Sequence, residues 1–203
     1  MARMMRGARD VRKGVLAFFG GNLRRYIELA ELEWNDIVVR PNRMEAYEAV
    51  SFEHEDKCVI SISIGQSSSF TTVDIDENGA RVYRPDYDIQ IYTWCLAGYD
   101  EDGNTIDTAR VSALSQRDDI ASVIRAMLLD NPALDQPEAF ELIENTLIEE
   151  YSTGEATPNS SGRYIAGVVH NFTLRVDEAL IHIPDGYVNE VSVDTDKLLE
   201  DQD

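Results

Sequence analysis

Tyr87-Asp88-Ile89-Gln90-Ile91-Tyr92-Thr93-Trp94-Cys95-Leu96-Ala97 is the longest β-like run in the middle of this 203-residue chain, and its reading decides the fold. Side chains alternate between the two faces of a strand. Ile89, Ile91, Cys95 and Ala97 therefore share one face, and Tyr92, Trp94 and Leu96 share the other. A strand with one wet face alternates apolar and polar residues. This one does so at Asp88 and Gln90 and then turns apolar on both sides. A layer of helices covers only one face. The second face needs another cover, and a second copy of the chain is the cover expected here. Tyr92, Trp94 and Leu96 are thus the candidate oligomer interface.

Upstream of this strand, Cys58 to Ile64 alternates cleanly, with Ile60, Ile62 and Ile64 inward. Ile37-Val38-Val39 before Arg40-Pro41 reads as a short edge strand stopped by proline. Phe70 to Asp76, the turn signal Asn78-Gly79 and the return Arg81 to Tyr83 read as a hairpin. Leu16, Phe19, Leu23 and Ala30 recur at helical spacing, with Gly20-Gly21 marking a bend or a junction of two helices. Downstream, Asp100 to Asn104 is a turn and an irregular stretch runs to Leu114. Ser115 and Asp118 cap a helix whose stripe is Ile120, Val123, Ile124, Met127 and Leu128, ended by Asn131-Pro132. Asp135 and Pro137 open a further helix, with Phe140, Ile143, Leu147 and Tyr151 inward and its glutamates outward. Ser152 to Gly162 reads as a mobile loop. A long closing strand, Tyr164 to Val176, follows, with a possible short strand at Val188 to Val193.

This order predicts an α+β fold: a mainly antiparallel sheet with helices packed on one face, an N-terminal helix, two central helices and a long closing strand. The chain divides into a basic arm (1–13), one domain (14–180) and an acidic tail (181–203).

Apolar residues make up 43%, a globular proportion, and the net charge is −20. That balance opposes a ligand gripped through nucleic-acid phosphates, which needs clustered cations. It is compatible with DNA that passes an acidic wall without being held. The charge is uneven. Arg3, Arg6, Arg9, Arg12, Lys13, Arg24 and Arg25 lie in the first 25 residues against Asp10 alone, whereas residues 135–203 carry sixteen acids and three bases. Such a chain can attract copies of itself. No apolar run suits a membrane span. Cys58 and Cys95 sit in strand-like runs and are expected as buried thiols in a reducing compartment.

No catalytic constellation is legible, and the reading is of a non-enzyme without cofactor or metal. Asp74-x-Asp76-x-Asn78-Gly79 imitates the first half of a calcium loop, but Pro85 stands where the bidentate glutamate belongs. His54, His170 and His182 are scattered, and His170 is expected as a hydrogen-bonded core histidine.

Three segments in order carry a resemblance: the hairpin Arg81-Val82-Tyr83-Arg84-Pro85 into the strand through Trp94, the helix pair Asp118 to Tyr151 with its Glu-Glu-Tyr ending, and the closing strand Gly162-Arg163-Tyr164-Ile165-Ala166-Gly167 to Val176-Asp177-Glu178. Over residues 14–180 the chain is similar to the tail terminator proteins of long-tailed bacteriophages. The resemblance implies a virion protein of the neck, made in the host cytoplasm. It would form a ring, usually a hexamer, at the head-proximal end of the tail tube. That ring would end tube polymerisation and join the tail to the head connector, with DNA passing through its lumen. The implied partners are the chain itself, the tail tube protein and the head-completion protein. Within that picture Thr153, Gly154, Glu155, Thr157, Pro158, Asn159 and Ser160 form a candidate docking loop, and Arg3, Arg6, Arg9 and Arg12 a basic arm. The alternative is an acidic, dimeric protein resembling secretion chaperones.

Overall fold

The structure, a computed structural model, describes residues 7–32, 37–40, 58–75, 81–97, 106–136, 139–155 and 164–179. In chain order the elements are α1 (Ala8–Leu29), β1 (Ile37–Arg40), β2 (Cys58–Ser68), β3 (Thr72–Ile75), β4 (Arg81–Tyr83), β5 (Asp86–Ala97), α2 (Ile106–Asp130), β6 (Phe140–Glu155), β7 (Tyr164–Val176) and β8 (Glu178–Ala179). Five strands form one sheet in the order β1-β2-β5-β7-β6, and β3-β4-β8 form a smaller one. Among the described strands only the β1–β2 pairing is parallel. The fold is α+β with a mainly antiparallel sheet.

The quoted strand lies at the centre of the large sheet. Its register with β7 is unbroken over twelve pairs, from Asp86↔Arg175 to Ala97↔Tyr164. Ile89, Ile91 and Cys95 face the helices together with Cys58, Ile60 and Ile62 of β2 and Phe172 and Leu174 of β7. On α1 the buried side chains are Val11, Val15, Phe18, Phe19, Leu23 and Ile27, three or four apart, so one apolar stripe lies on the sheet. The helix runs unbroken through Gly20-Gly21. Ile120, Val123, Ile124, Met127 and Leu128 of α2 complete the same core. The two helices are tied by Tyr26 Oη donating to Asp130 and Asn131 Nδ2 donating to Tyr26 Oη, each 3.0 Å.

Three expectations are corrected. First, α2 starts at Ile106, twelve residues before Asp118, because Ala113 packs against Ala97, Tyr164 and Ala166 and extends the buried stripe. Second, the segment expected as a second central helix is the edge strand β6, so among the described residues one central helix is present rather than two. Phe140 and Leu142 are buried on the helix side, as alternation requires. The period then breaks: five residues of β6, from Ile143 to Ile148, advance against two of β7. This bulge gives Phe140, Ile143, Leu147 and Tyr151 their helix-like spacing. Thr146 bridges the gap. Its Oγ1 accepts from Thr173 N at 2.8 Å and donates to Ile143 O at 2.6 Å, replacing ladder bonds that the bulge removes.

Third, Cys58 and Cys95 are not separate thiols. They sit directly opposite each other in the β2–β5 register, with Cα atoms 4.2 Å apart, and are joined as a disulfide beneath the helices. A close cross-strand pair of this kind brings two side chains within bonding reach. The possible strand at Val188 to Val193 and the residues His54 and His182 lie outside the described residues.

Candidate functional site

The sheet face turned away from the helices carries the proposed interface. Along β5 it changes character, following the sequence. Leu96 and Ile165 form a small apolar cluster with half-buried Trp94. Trp94 lies opposite Gly167, and Gly167 lies opposite Ser152. A Cβ built at Gly167 would collide with the six-membered ring of Trp94 and with Ser152 Oγ, so the indole occupies the space a side chain there would need. Glycine at this position lets the ring lie across β7.

Next comes a polar ladder. Tyr92 Oη donates to Gln90 Oε1 at 2.8 Å, Gln90 Nε2 to Asn171 Oδ1 at 3.0 Å, and Asn171 Nδ2 to Glu150 Oε1 at 3.3 Å. The far end is ionic. Arg175 pairs with Asp86 at 2.9 Å, and Arg84 pairs with Asp177. Each carboxylate holds its guanidinium protonated and pushes its pKa upward. On the helix-facing side of the same end, where Tyr87 belongs to the main core, Glu178 accepts from Tyr87 Oη at 2.7 Å, and burial followed by this bond raises the phenol's pKa well above its usual range.

Tyr92 and Leu96 are only 7% and 3% exposed in the single chain, so they offer a partner little area. The exposed apolar surface lies elsewhere. Phe70, Val73 and Ile75 are 54%, 42% and 61% exposed, on and beside β3, the edge of the small sheet. Ile148 and Tyr151 are exposed on β6, the edge of the large sheet.

The candidate docking loop is divided by the structure. Thr153, Gly154 and Glu155 belong to β6 and pair with Ala166, Ile165 and Tyr164, whereas Thr157, Pro158, Asn159 and Ser160 lie outside the described residues. The connection to β7 therefore spans 156–163 and not the longer stretch from Ser152. The basic arm is divided too. Arg9 and Arg12 stand within α1, while Arg3 and Arg6 lie outside the described residues. No known protein family matches this chain, and no curated protein does.

The helix-facing side holds a polar cluster that sequence reasoning missed. His170, fully buried, stands opposite Ile91 of β5 and Glu149 of β6. Its Nε2 is 3.3 Å from Ala121 O of α2 and 3.3 Å from Glu149 Oε1. A single Nε2–H directed at Ala121 leaves Glu149 Oε1 without a donor, and His170 Nδ1 also has none. Burial lowers the histidine's pKa, and nearby Glu149 opposes that shift without cancelling it. The ring is neutral at pH 7 and bonds a backbone carbonyl, as expected for a core histidine.

Glu149 Oε2 accepts from Arg125 Nη1 and Tyr151 Oη, each at 2.8 Å. Partial desolvation of this half-exposed phenol and the Glu149 bond raise the Tyr151 pKa. The Arg117 guanidinium lies 4.9 Å from the centroid of the Tyr151 ring and donates to Ser152 O. Arg117 and Arg125 thus clamp α2 to β6. With Glu149 and Tyr151 read as helical they could not be seen as neighbours of His170. The available signal was the run of β-branched and aromatic residues at Ile143, Thr146, Ile148, Tyr151 and Thr153.

The cluster ties α2 to β6 and β7, and the Ser122 hydroxyl joins it by accepting from Arg125 at 3.3 Å. A cleft of about 330 Å³ lies between Pro132, Ala133, Ala139, Phe140 and the Arg84, Glu141, Arg175 and Asp177 charges. Arg84 and Arg175 are already committed to carboxylates, and among the described residues no histidine or cysteine lines it.

Proposed function

We propose that this chain is a self-assembling structural protein of a phage neck. It forms a ring, most simply of six copies, at the head-proximal end of the tail tube. The ring ends tube polymerisation and joins the tail to the head connector, and DNA passes through its lumen. The observation that carries the self-assembly reading is β3. All four of its residues are exposed, it is an edge of the small sheet, and it presents Val73 and Ile75 beside Phe70. An edge strand with uncovered apolar side chains is an aggregation hazard in a monomer and a ready contact in an assembly. A head-to-tail contact between copies closes into a ring when its rotation allows.

The charge supports the second part of the reading. A wall built from copies of net charge −20 repels a duplex and leaves it free to move. A phage lacking the gene tests the reading. The expected phenotype is filled heads without joined tails and tube lengths that are no longer uniform, seen by negative-stain microscopy. Tails of normal length attached to heads would refute it.

A further inference from the structure

We infer that the acidic C-terminal tail of this chain docks on the basic N-terminal half of its own α1. In a chain of net charge −20, Arg9 and Lys13 are exposed on α1 and Arg12 is partly so. Among the described residues none of the three joins an ion pair, and Arg12 Nε is buried without an acceptor. On α2, Arg117 pairs with Asp118 and Arg125 with Glu149, while Arg110 lies over the Tyr164 ring, 5.9 Å from its centroid. Cations left unpaired among so many carboxylates mark a surface with an acidic occupant still to be assigned.

The chain supplies that occupant at the right place. β8 ends at Ala179, and Glu178 lies against the start of α1, with its Oε1 3.6 Å from where a Gly7 Cβ would stand. The tail therefore leaves the described fold beside the N-terminus of α1. Residues 180–203 carry seven acidic side chains, Asp185, Glu190, Asp194, Asp196, Glu200, Asp201 and Asp203, against one base, Lys197. Asp185 is six residues past Ala179, a reach of up to ~20 Å extended, while Arg9 to Lys13 spans only ~6 Å of helix. Every tail acid can reach the site. A tether this short holds the tail at an effective concentration on the order of millimolar, which compensates for the weakness of individual exposed ion pairs. The docked tail would also compete with any acidic surface, including another copy, for α1.

Carbodiimide coupling of the full chain at low micromolar concentration tests this directly, because Lys13 is the only lysine of α1. Mass spectrometry should find Lys13 joined to carboxylates within 185–203. The yield should fall several-fold in ~1 M salt, where the screening length is ~3 Å. In a mixture of isotopically heavy and light chains, the joined peptides should come from one chain. Joining predominantly to Glu141, Glu144 or Glu150, joining predominantly between heavy and light chains, or no joining at all would overturn the inference. A second readout does not depend on coupling chemistry. Replacing Asp194, Asp196, Glu200, Asp201 and Asp203 by their amides should speed acetylation of Lys13 several-fold, and an unchanged rate would equally overturn it. Ring formation is measured separately, so failure here leaves the self-assembly reading standing.

Discussion

Gly167→Ala is the most discriminating single substitution, because its effect should depend on one other residue. The added methyl must occupy the space filled by the Trp94 ring and Ser152 Oγ. Overpacking of this kind costs about 1–3 kcal/mol. Alanine in place of glycine at a compatible strand position would instead gain about 0.4–1 kcal/mol through the unfolded chain. Trp94→Ala alone should cost less than the ~3–5 kcal/mol of a fully buried aromatic, about 2–3 kcal/mol, since Trp94 is half-buried. In the Trp94→Ala background only the contact with Ser152 Oγ remains, which a rotation of that side chain relieves, and Gly167→Ala should become close to neutral. The expected coupling is about 2 kcal/mol. Urea unfolding followed by circular dichroism measures all four corners of the cycle. For a chain of this size each kcal/mol shifts Tm by about 2–4 °C, so Gly167→Ala alone should lower Tm by about 2–12 °C. An equal cost of Gly167→Ala with and without Trp94 would show that the indole does not lie over Gly167.

Other substitutions probe the remaining features. Thr146→Val removes the acceptor for Thr173 N and the donor to Ile143 O, and should cost about 1–3 kcal/mol; an unchanged urea midpoint would mean the bulge does not depend on this hydroxyl. His170 has a lowered native pKa, so below its unfolded value of about 6.5 the unfolded chain binds more protons, and stability is lost as the pH is lowered and regained as it rises. His170 is faced by Glu149, Arg125 and Ala121 O, and His170→Gln should flatten the slope of stability against pH between about 5.5 and 7; parallel slopes would contradict a buried neutral ring. The Cys58–Cys95 link closes a loop with a sequence separation of 37, so reduction should destabilise the fold by about 4 kcal/mol, and two free thiols in the unreduced, denatured chain would refute the pairing.

The sequence carried the sheet more clearly than the helices. β5, β2 and β7 were legible because their apolar residues alternate without interruption, and the same regularity gives the unbroken register of β5 with β7. β6 was illegible because a bulge at Ile143–Ile148 converts a period of two into a spacing that imitates a helix. That single misreading concealed the His170–Glu149–Arg125 cluster, whose members meet only when Glu149 stands on a strand beside β7. The start of α2 was missed because Ala113, the residue that extends its buried face, is too small to register in a hydrophobic pattern. The two-faced character of Tyr92, Trp94 and Leu96 was read correctly from alternation. Their burial within one chain could not be read, because alternation gives the face and not what covers it. The exposed β3 ribbon followed from the Asn78-Gly79 hairpin signal, but nothing local in the sequence marks Val73 and Ile75 as uncovered.

Self-assembly into a closed ring is the central claim, and native mass spectrometry of the full chain at low micromolar concentration tests it most directly. The account predicts one dominant closed oligomer, most simply a hexamer, which Val73→Glu and Ile75→Glu together break into smaller species without unfolding the five-stranded sheet. A stable monomer that also fails to assemble on tail tubes would contradict it, and a stable dimer would favour the chaperone-like alternative.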